Sequence, residues 1–178
     1  MSEAIQSCLI SNHLRADGGF RADDVRQLVP QHSAASAQPH IDGGGAQLEQ
    51  FADLKIAFSE GSIGWIPYVL HRADVVWEEN RGWGGVADKV TRPPSELYYE
   101  HVLGCFFDDP HGLEDIEHIG VNNVAYESDY PHSDSTWPNT RAVAEQQMKH
   151  LDDEVIEKIV RGNAIRFYDL SPEGRWKG

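Results

Sequence analysis

The stretch YESDYPHSDSTWP, residues 126–138, gathers Glu127, Asp129, His132 and Asp134 where an apolar run gives way to turn residues. Carboxylates and an imidazole in such a place suit two kinds of chemistry: holding a divalent metal, or moving protons to and from water that a metal has acidified. Asp129 fits either role. An Asp before Tyr-Pro is also ordinary turn chemistry, so spacing alone leaves capping of the turn as an equal alternative. His132 is a candidate substrate contact or a group that orients a metal ligand, set against a merely solvated loop histidine. Trp137 could wall a substrate pocket or pack on the helix that follows. Glu60, before Gly61 at the end of an earlier apolar run, carries the same ambiguity as Asp129. His71, His101, His111 and His118 show no ligand spacing, and neither His-x-His nor HExxH occurs.

Residues this far apart need a scaffold to meet. From Phe51 onward, short apolar runs alternate with amphipathic segments. LKIAFSE (54–60) reads as a buried strand ending at Glu60. Ile63, Ile66, Leu70, Ala73 and Trp77 then recur at helical spacing up to about Asn80–Gly82, with Pro67 in the tolerant first turn. Residues 81–96 read as a loop from their Gly and Pro content. HVLGCFFDDP (101–110) is a second strand closed by Asp108, Asp109 and Pro110, followed by a short helix in GLEDIEHIG. NVAYESD (123–129) is the third strand and TRAVAEQQMKH (140–150) its helix. A last helix has Asp152 as cap, a Leu151–Ile156 staple, Val155, Ile156, Ile159 and Val160 as its apolar stripe, and Gly162 at its end. NAIRFYDL adds a terminal turn or short helix. This βαβαβα order implies a parallel sheet whose strand ends would bring Glu60, Asp108, Asp109 and Asp129 to one rim.

Met1 to about Gln50 is different: Ala, Ser, Gln and Gly dominate, and HSAASAQPHIDGGGAQ reads as low complexity. Little stable structure is expected there beyond a marginal helix in RADDVRQLV. The domain reading is therefore 1–50 as a largely disordered segment and 51–178 as the folded part. Trp65, Trp77 and Trp83 are expected in its core. RGWGGVAD lacks the strand-turn-helix setting of a phosphate loop, which argues against nucleotide binding.

The bulk numbers bound the partner. With 15 Lys and Arg against 29 Asp and Glu the formal charge is -14, so nucleic acid and anionic membranes would meet repulsion. A small-molecule partner is expected. The two cysteines, Cys8 and Cys105, cannot make a disulfide framework or a cysteine zinc site. No apolar run reaches the roughly 20 residues of a membrane span, so the cytoplasm is the expected location.

Three landmarks carry a family likeness: FADLKIAFSEGSIGWIPYVLHRAD (51–74), YESDYPHSDSTWPNT (126–140) and IVRGNAIRFYDL (159–170). Together they resemble the carboxyl-terminal part of the amidohydrolase-related family, metal-dependent (β/α)8 barrels that include aminocarboxymuconate-semialdehyde decarboxylase. The resemblance implies an α/β fold forming part of a TIM barrel, about strands six to eight with their helices. It implies that Asp129 ends strand eight as a metal ligand or as the proton acceptor, with zinc the first expectation for the metal. It sets Glu60 at the end of strand six, where the decarboxylases carry a catalytic histidine. The family's His-x-His is absent, and a whole barrel takes about 250 residues. Two readings follow: a metal-dependent hydrolase or carboxy-lyase acting on a small organic substrate, incomplete in this chain, or an inactive remnant or interaction module. Self-association or a complementing chain could restore the site.

Overall fold

The computed structural model describes residues 46–84 and 87–177. The expected helix in RADDVRQLV and most of the low-complexity segment lie outside them. The chain divides into two compact units.

The unit that carries the site comprises, among described residues, 55–65 and 103–177. Its centre is a three-stranded sheet in the order β1 (Ile56–Phe58), β2 (Val102–Phe106), β3 (Val124–Tyr126). β2 and β3 run parallel, with Gly104 opposite Val124, Cys105 opposite Ala125 and Phe106 opposite Tyr126. Every residue of β2 and β3 is buried, as befits strands covered on both faces. Leu103, Cys105, Ala125 and Phe167 form one packed cluster, with Ala57 and Tyr168 against it. Phe106 meets Tyr126 edge-on at 5.6 Å between ring centres.

After β2 the chain makes two short helices, Pro110–Glu114 and Ile116–Ile119, where one helix over 112–120 was expected. Gly120, at φ 97°, breaks the second and turns the chain toward β3. The helix after β3 spans Thr140–Met148. The last helical stretch corrects two expectations. Asp152 precedes it but its side chain accepts no capping hydrogen bond. Leu151 and Ile156, the expected staple, are both partly buried. Gly162, at φ -59°, does not end the helix: Asp153–Glu157 continues through a π-turn at Lys158–Gly162 into Asn163–Phe167. Asn163 explains the continuation. Its Nδ2 donates to Val121 O at 2.7 Å and Val124 O at 2.8 Å, tying the helix to the start of β3.

The other unit comprises, among described residues, 46–54, 66–84 and 87–102. It holds the helices Ala46–Gln50, Ile66–Asn80 and Pro94–His101. The third was expected to be loop running into strand. Pro94 occupies its first turn, Glu96 complements the dipole there, and Leu97, Tyr98 and His101 are buried. His101 therefore ends a helix, with Nδ1 2.7 Å from Leu54 O. Trp77 is buried and donates Nε1 to Val90 O at 2.9 Å. Trp83, expected in the core, is 74% exposed. No helix among the described residues is long and apolar enough to cross a membrane.

Candidate metal centre

β1 stops at Phe58, two residues short of Glu60, and the chain turns sharply. Glu60 and Ser62 both hold left-handed backbone, at φ 57° and 54°. Such conformations cost about 1–3 kcal/mol for residues with a Cβ and persist only where the surroundings hold them. Three side chains do so. Glu127 Oε1 accepts the Glu60 backbone N–H at 2.5 Å, and Oε2 accepts the Ser59 hydroxyl at 2.7 Å. Trp65 Nε1 donates to Gly61 O at 2.8 Å. Asp109 Oδ2 accepts the N–H groups of Ile63 and Gly64, both at 2.7 Å.

The exit of β3 mirrors that of β1. Glu127 N donates to Phe106 O at 2.9 Å, extending the ladder one residue past the strand. Asp129 then takes left-handed backbone at φ 53°, a conformation Asp tolerates better than most residues, and its carbonyl accepts the His132 N–H at 2.9 Å. The turn is thus closed by backbone, and the Asp129 side chain is left for other work. That side chain is 2% exposed. Its Oδ1 lies 2.9 Å from His132 Nδ1, close enough for attraction to a charged ring, yet no donor is aligned on it for a hydrogen bond. A buried carboxylate oxygen in that state lacks the compensation such groups ordinarily have.

His132 Nδ1 is also 3.3 Å from Glu60 Oε1. One ligand atom each from Glu60, Asp129 and His132 lies within 4.8 Å of the others. Two carboxylates and an imidazole form a donor set suited to borderline zinc, or to harder manganese through the carboxylates, and three protein ligands with an open side is the pattern of catalytic sites. Glu60 and His132 are half-exposed while Asp129 is buried, so the open side faces solvent. The residues present fit a divalent cation.

The other expected residues separate. Asp109 is spent on backbone, since besides Ile63 and Gly64 it caps the following helix by accepting Gly112 N at 2.9 Å. Asp108 lines a cavity with Pro110, Glu114, Gln147 and His150 and is not among the clustered ligand-type residues. Of the four acids expected at one rim, Glu60 and Asp129 share the cluster with His132, while Asp109 stands at the same loop but is occupied by backbone amides. Asp134 is exposed. Trp137 is 53% exposed and its ring sits 5.0 Å from that of Tyr130, the neighbour of Asp129, so the two aromatics form a half-exposed pair beside the centre.

Glu127 is the residue whose part the sequence concealed. Burial pushes its carboxyl up from the ordinary value, the bonds from Ser59 and Glu60 pull it back down, and the nearby Asp129 and Glu60 charges raise it further. Its one visible signal is an acid directly after three buried apolar residues; the partners that explain it lie 67 and 68 positions away.

The profile of the amidohydrolase family matches residues 30–170. Among solved structures the chain is similar to an amidohydrolase from Mycobacterium avium subsp. paratuberculosis K-10, with 21% identity and a TM-score of 0.52. The likeness covers 75% of this chain and 32% of that one, so the chain spans about a third of that structure's length. At this identity the likeness speaks to the fold: a small parallel sheet with helices, compatible with part of an amidohydrolase barrel. No curated protein matches.

Proposed function

We propose, from the premise that this chain belongs to the amidohydrolase family, that Glu60, Asp129 and His132 form a divalent-metal centre for hydrolysis, or decarboxylation, of a small organic substrate. One observation carries the reading: a buried carboxylate oxygen without an aligned donor stands among two further ligand-type atoms, all within 4.8 Å. Zinc is the first candidate, since an imidazole and two carboxylates lie within its ordinary ligand range.

In this reading β1, β2 and β3 are strands six, seven and eight of the barrel, and reactive groups sit at their carboxyl ends as in other (β/α)8 enzymes. A divalent ion held there supplies Lewis acidity toward a substrate oxygen. The chain's residues do the rest. Asp129, shielded from water, would hold the ion, and its carboxylate is placed to take the proton that an attacking water gives up in hydrolysis. Glu60 and His132 close the ligand set on the solvent side, and Glu60 is the second carboxylate able to carry a proton. Tyr130 and Trp137 offer an aromatic wall where an apolar part of the substrate can lie. The formal charge of -14 argues against nucleic acid and anionic membrane partners. Location in the cytoplasm belongs to the same proposal, as does completion of the barrel by a second copy or a complementing chain.

The test is elemental mass spectrometry on the chain purified by size exclusion, beside Asp129→Asn. The expected result is about one zinc or manganese per site in the native chain and none in the variant, with metal-dependent ester or amide turnover lost alongside. Equal metal content in the two proteins rules out the assignment of Asp129.

A further inference from the structure

The geometry points to Glu127 as the positioning residue of this centre: its buried carboxylate fastens the exit of β1 to the exit of β3 and so holds Glu60 where its side chain meets Asp129 and His132. The inference rests on the metal-centre reading above and adds to it a residue that touches none of the ligand atoms.

Glu127 is 4% exposed, and the structure assigns both of its oxygens, Oε1 to Glu60 N at 2.5 Å and Oε2 to Ser59 Oγ at 2.7 Å. Its own N–H is anchored on the central strand through Phe106 O at 2.9 Å. The carboxylate is therefore a fixed post on the sheet, and residues 59 and 60 hang from it. Farther along the same loop, Trp65 holds Gly61, and Asp109 holds Ile63 and Gly64. The hydrogen bonds of the site leave the left-handed turn at Glu60 itself to Glu127. Without that acceptor the backbone can relax toward an ordinary conformation, which swings the Glu60 side chain off the 3.3 Å approach to His132. Glu127 thus acts through Glu60, as outer partners of metal ligands commonly do.

The test uses the full chain with cobalt(II) as probe. The native protein is compared with Glu127→Ala, which removes both acceptors, and Glu127→Gln, which keeps one oxygen for Glu60 N. Two readouts are taken: cobalt affinity from visible absorption bands, and the Glu60 backbone amide in nitrogen-edited NMR with its hydrogen exchange. The alanine variant should lose the exchange protection of the Glu60 amide and weaken cobalt binding about ten- to a hundred-fold, with a much smaller loss in the glutamine variant. An unmoved Glu60 amide in Glu127→Ala, or a moved amide with unchanged cobalt affinity, overturns the inference. A native chain that takes up no cobalt while its Glu60 amide still responds to Glu127→Ala removes the metal reading, and the clamp is then structural only. Should the alanine variant not fold, Glu127→Asp keeps the charge but draws the acceptors back by one methylene from Glu60 N; a deprotected Glu60 amide with unchanged cobalt affinity in that variant also overturns the inference.

Discussion

Asp109 Oδ2 accepts the backbone N–H of Ile63 at 2.7 Å across 46 residues, while Oδ1 of the same carboxylate caps its own helix through Gly112 N at 2.9 Å. One side chain thus stitches the loop after β1 to the helix after β2, with Gly64 N as its third donor. Asp109→Ala should destabilise the protein by about 2–4 kcal/mol, since it removes a helix cap and orphans two further amides. Urea unfolding gives the number. A loss below about 0.5 kcal/mol, the scale of ordinary surface changes, means the loop is held elsewhere.

The same junction fixes Gly112. A Cβ built there would stand 2.4 Å from Ile63 Cγ1 and 2.9 Å from Gly64 N. Gly112→Ala gains roughly 1 kcal/mol of helix propensity but must push apart a fully buried isoleucine and a backbone amide already bonded to Asp109. Net destabilisation of about 1–3 kcal/mol is expected by the same measurement. A neutral or stabilised variant shows that this contact yields.

The sequence disclosed the sheet better than its connections. The apolar runs around Leu103 and Val124 read as strands because burial on both faces leaves an unbroken apolar signature, and the run around Ile56, less buried, was short and apolar enough to read the same way. The helix at Pro94–His101 stayed hidden because Pro93 and Pro94 are loop signals until one sees that Pro94 fills the first turn, where a missing N–H costs least. Gly162 misled in the opposite sense: glycine after a helical run suggests a stop, yet the π-turn carries the chain through it toward the anchor made by Asn163. At the site, Glu60 and Asp129 were legible as acids at strand ends. His132 was a weaker sign, since one histidine three residues past an aspartate has no geometry until the left-handed turn at Asp129 sets it beside the carboxylate. Glu127 was visible only as one more acid beside Asp129; its actual part, a bond to a backbone amide, is something no residue type announces.

Outside the site, Arg92 and Glu100 form a two-pronged pair, Nη1 to Oε1 at 2.6 Å and Nη2 to Oε2 at 2.8 Å. The hydrogen-bonded Arg92 guanidinium holds the Glu100 carboxyl below its ordinary value of 4.5. A carboxyl depressed in the folded state contributes stability that is present above the unfolded value and lost as pH falls through the folded one. Glu100→Gln should therefore flatten the acid limb of stability below pH 4.5 and leave its slope unchanged near neutrality. The pair is exposed, so the effect should be small and should fade in high salt. Thermal melts from acid to neutral pH, at low and high salt, decide it; an acid limb identical in the two proteins means the pair contributes nothing.

In the proposed centre, Asp129 sets stability against metal binding. Its carboxylate is 2% exposed with one oxygen lacking an aligned donor, an arrangement that costs the metal-free protein free energy. Asparagine has the same shape, tolerates the left-handed backbone at φ 53°, and removes the buried charge. The attraction to His132 given up in exchange is weak, because that ring is half-exposed. Chelator-treated Asp129→Asn should therefore be at least as stable as the native chain, because it removes the buried charge while leaving the shape of the side chain unchanged. Zinc should reverse the order: free metal at a hundred times its dissociation constant adds about 2.7 kcal/mol to a protein that binds it and nothing to one that does not. Urea unfolding of both proteins, with and without zinc, reads all four states. If the variant is weaker without metal, Asp129 serves the fold rather than a ligand; if zinc stabilises both equally, the ion sits elsewhere.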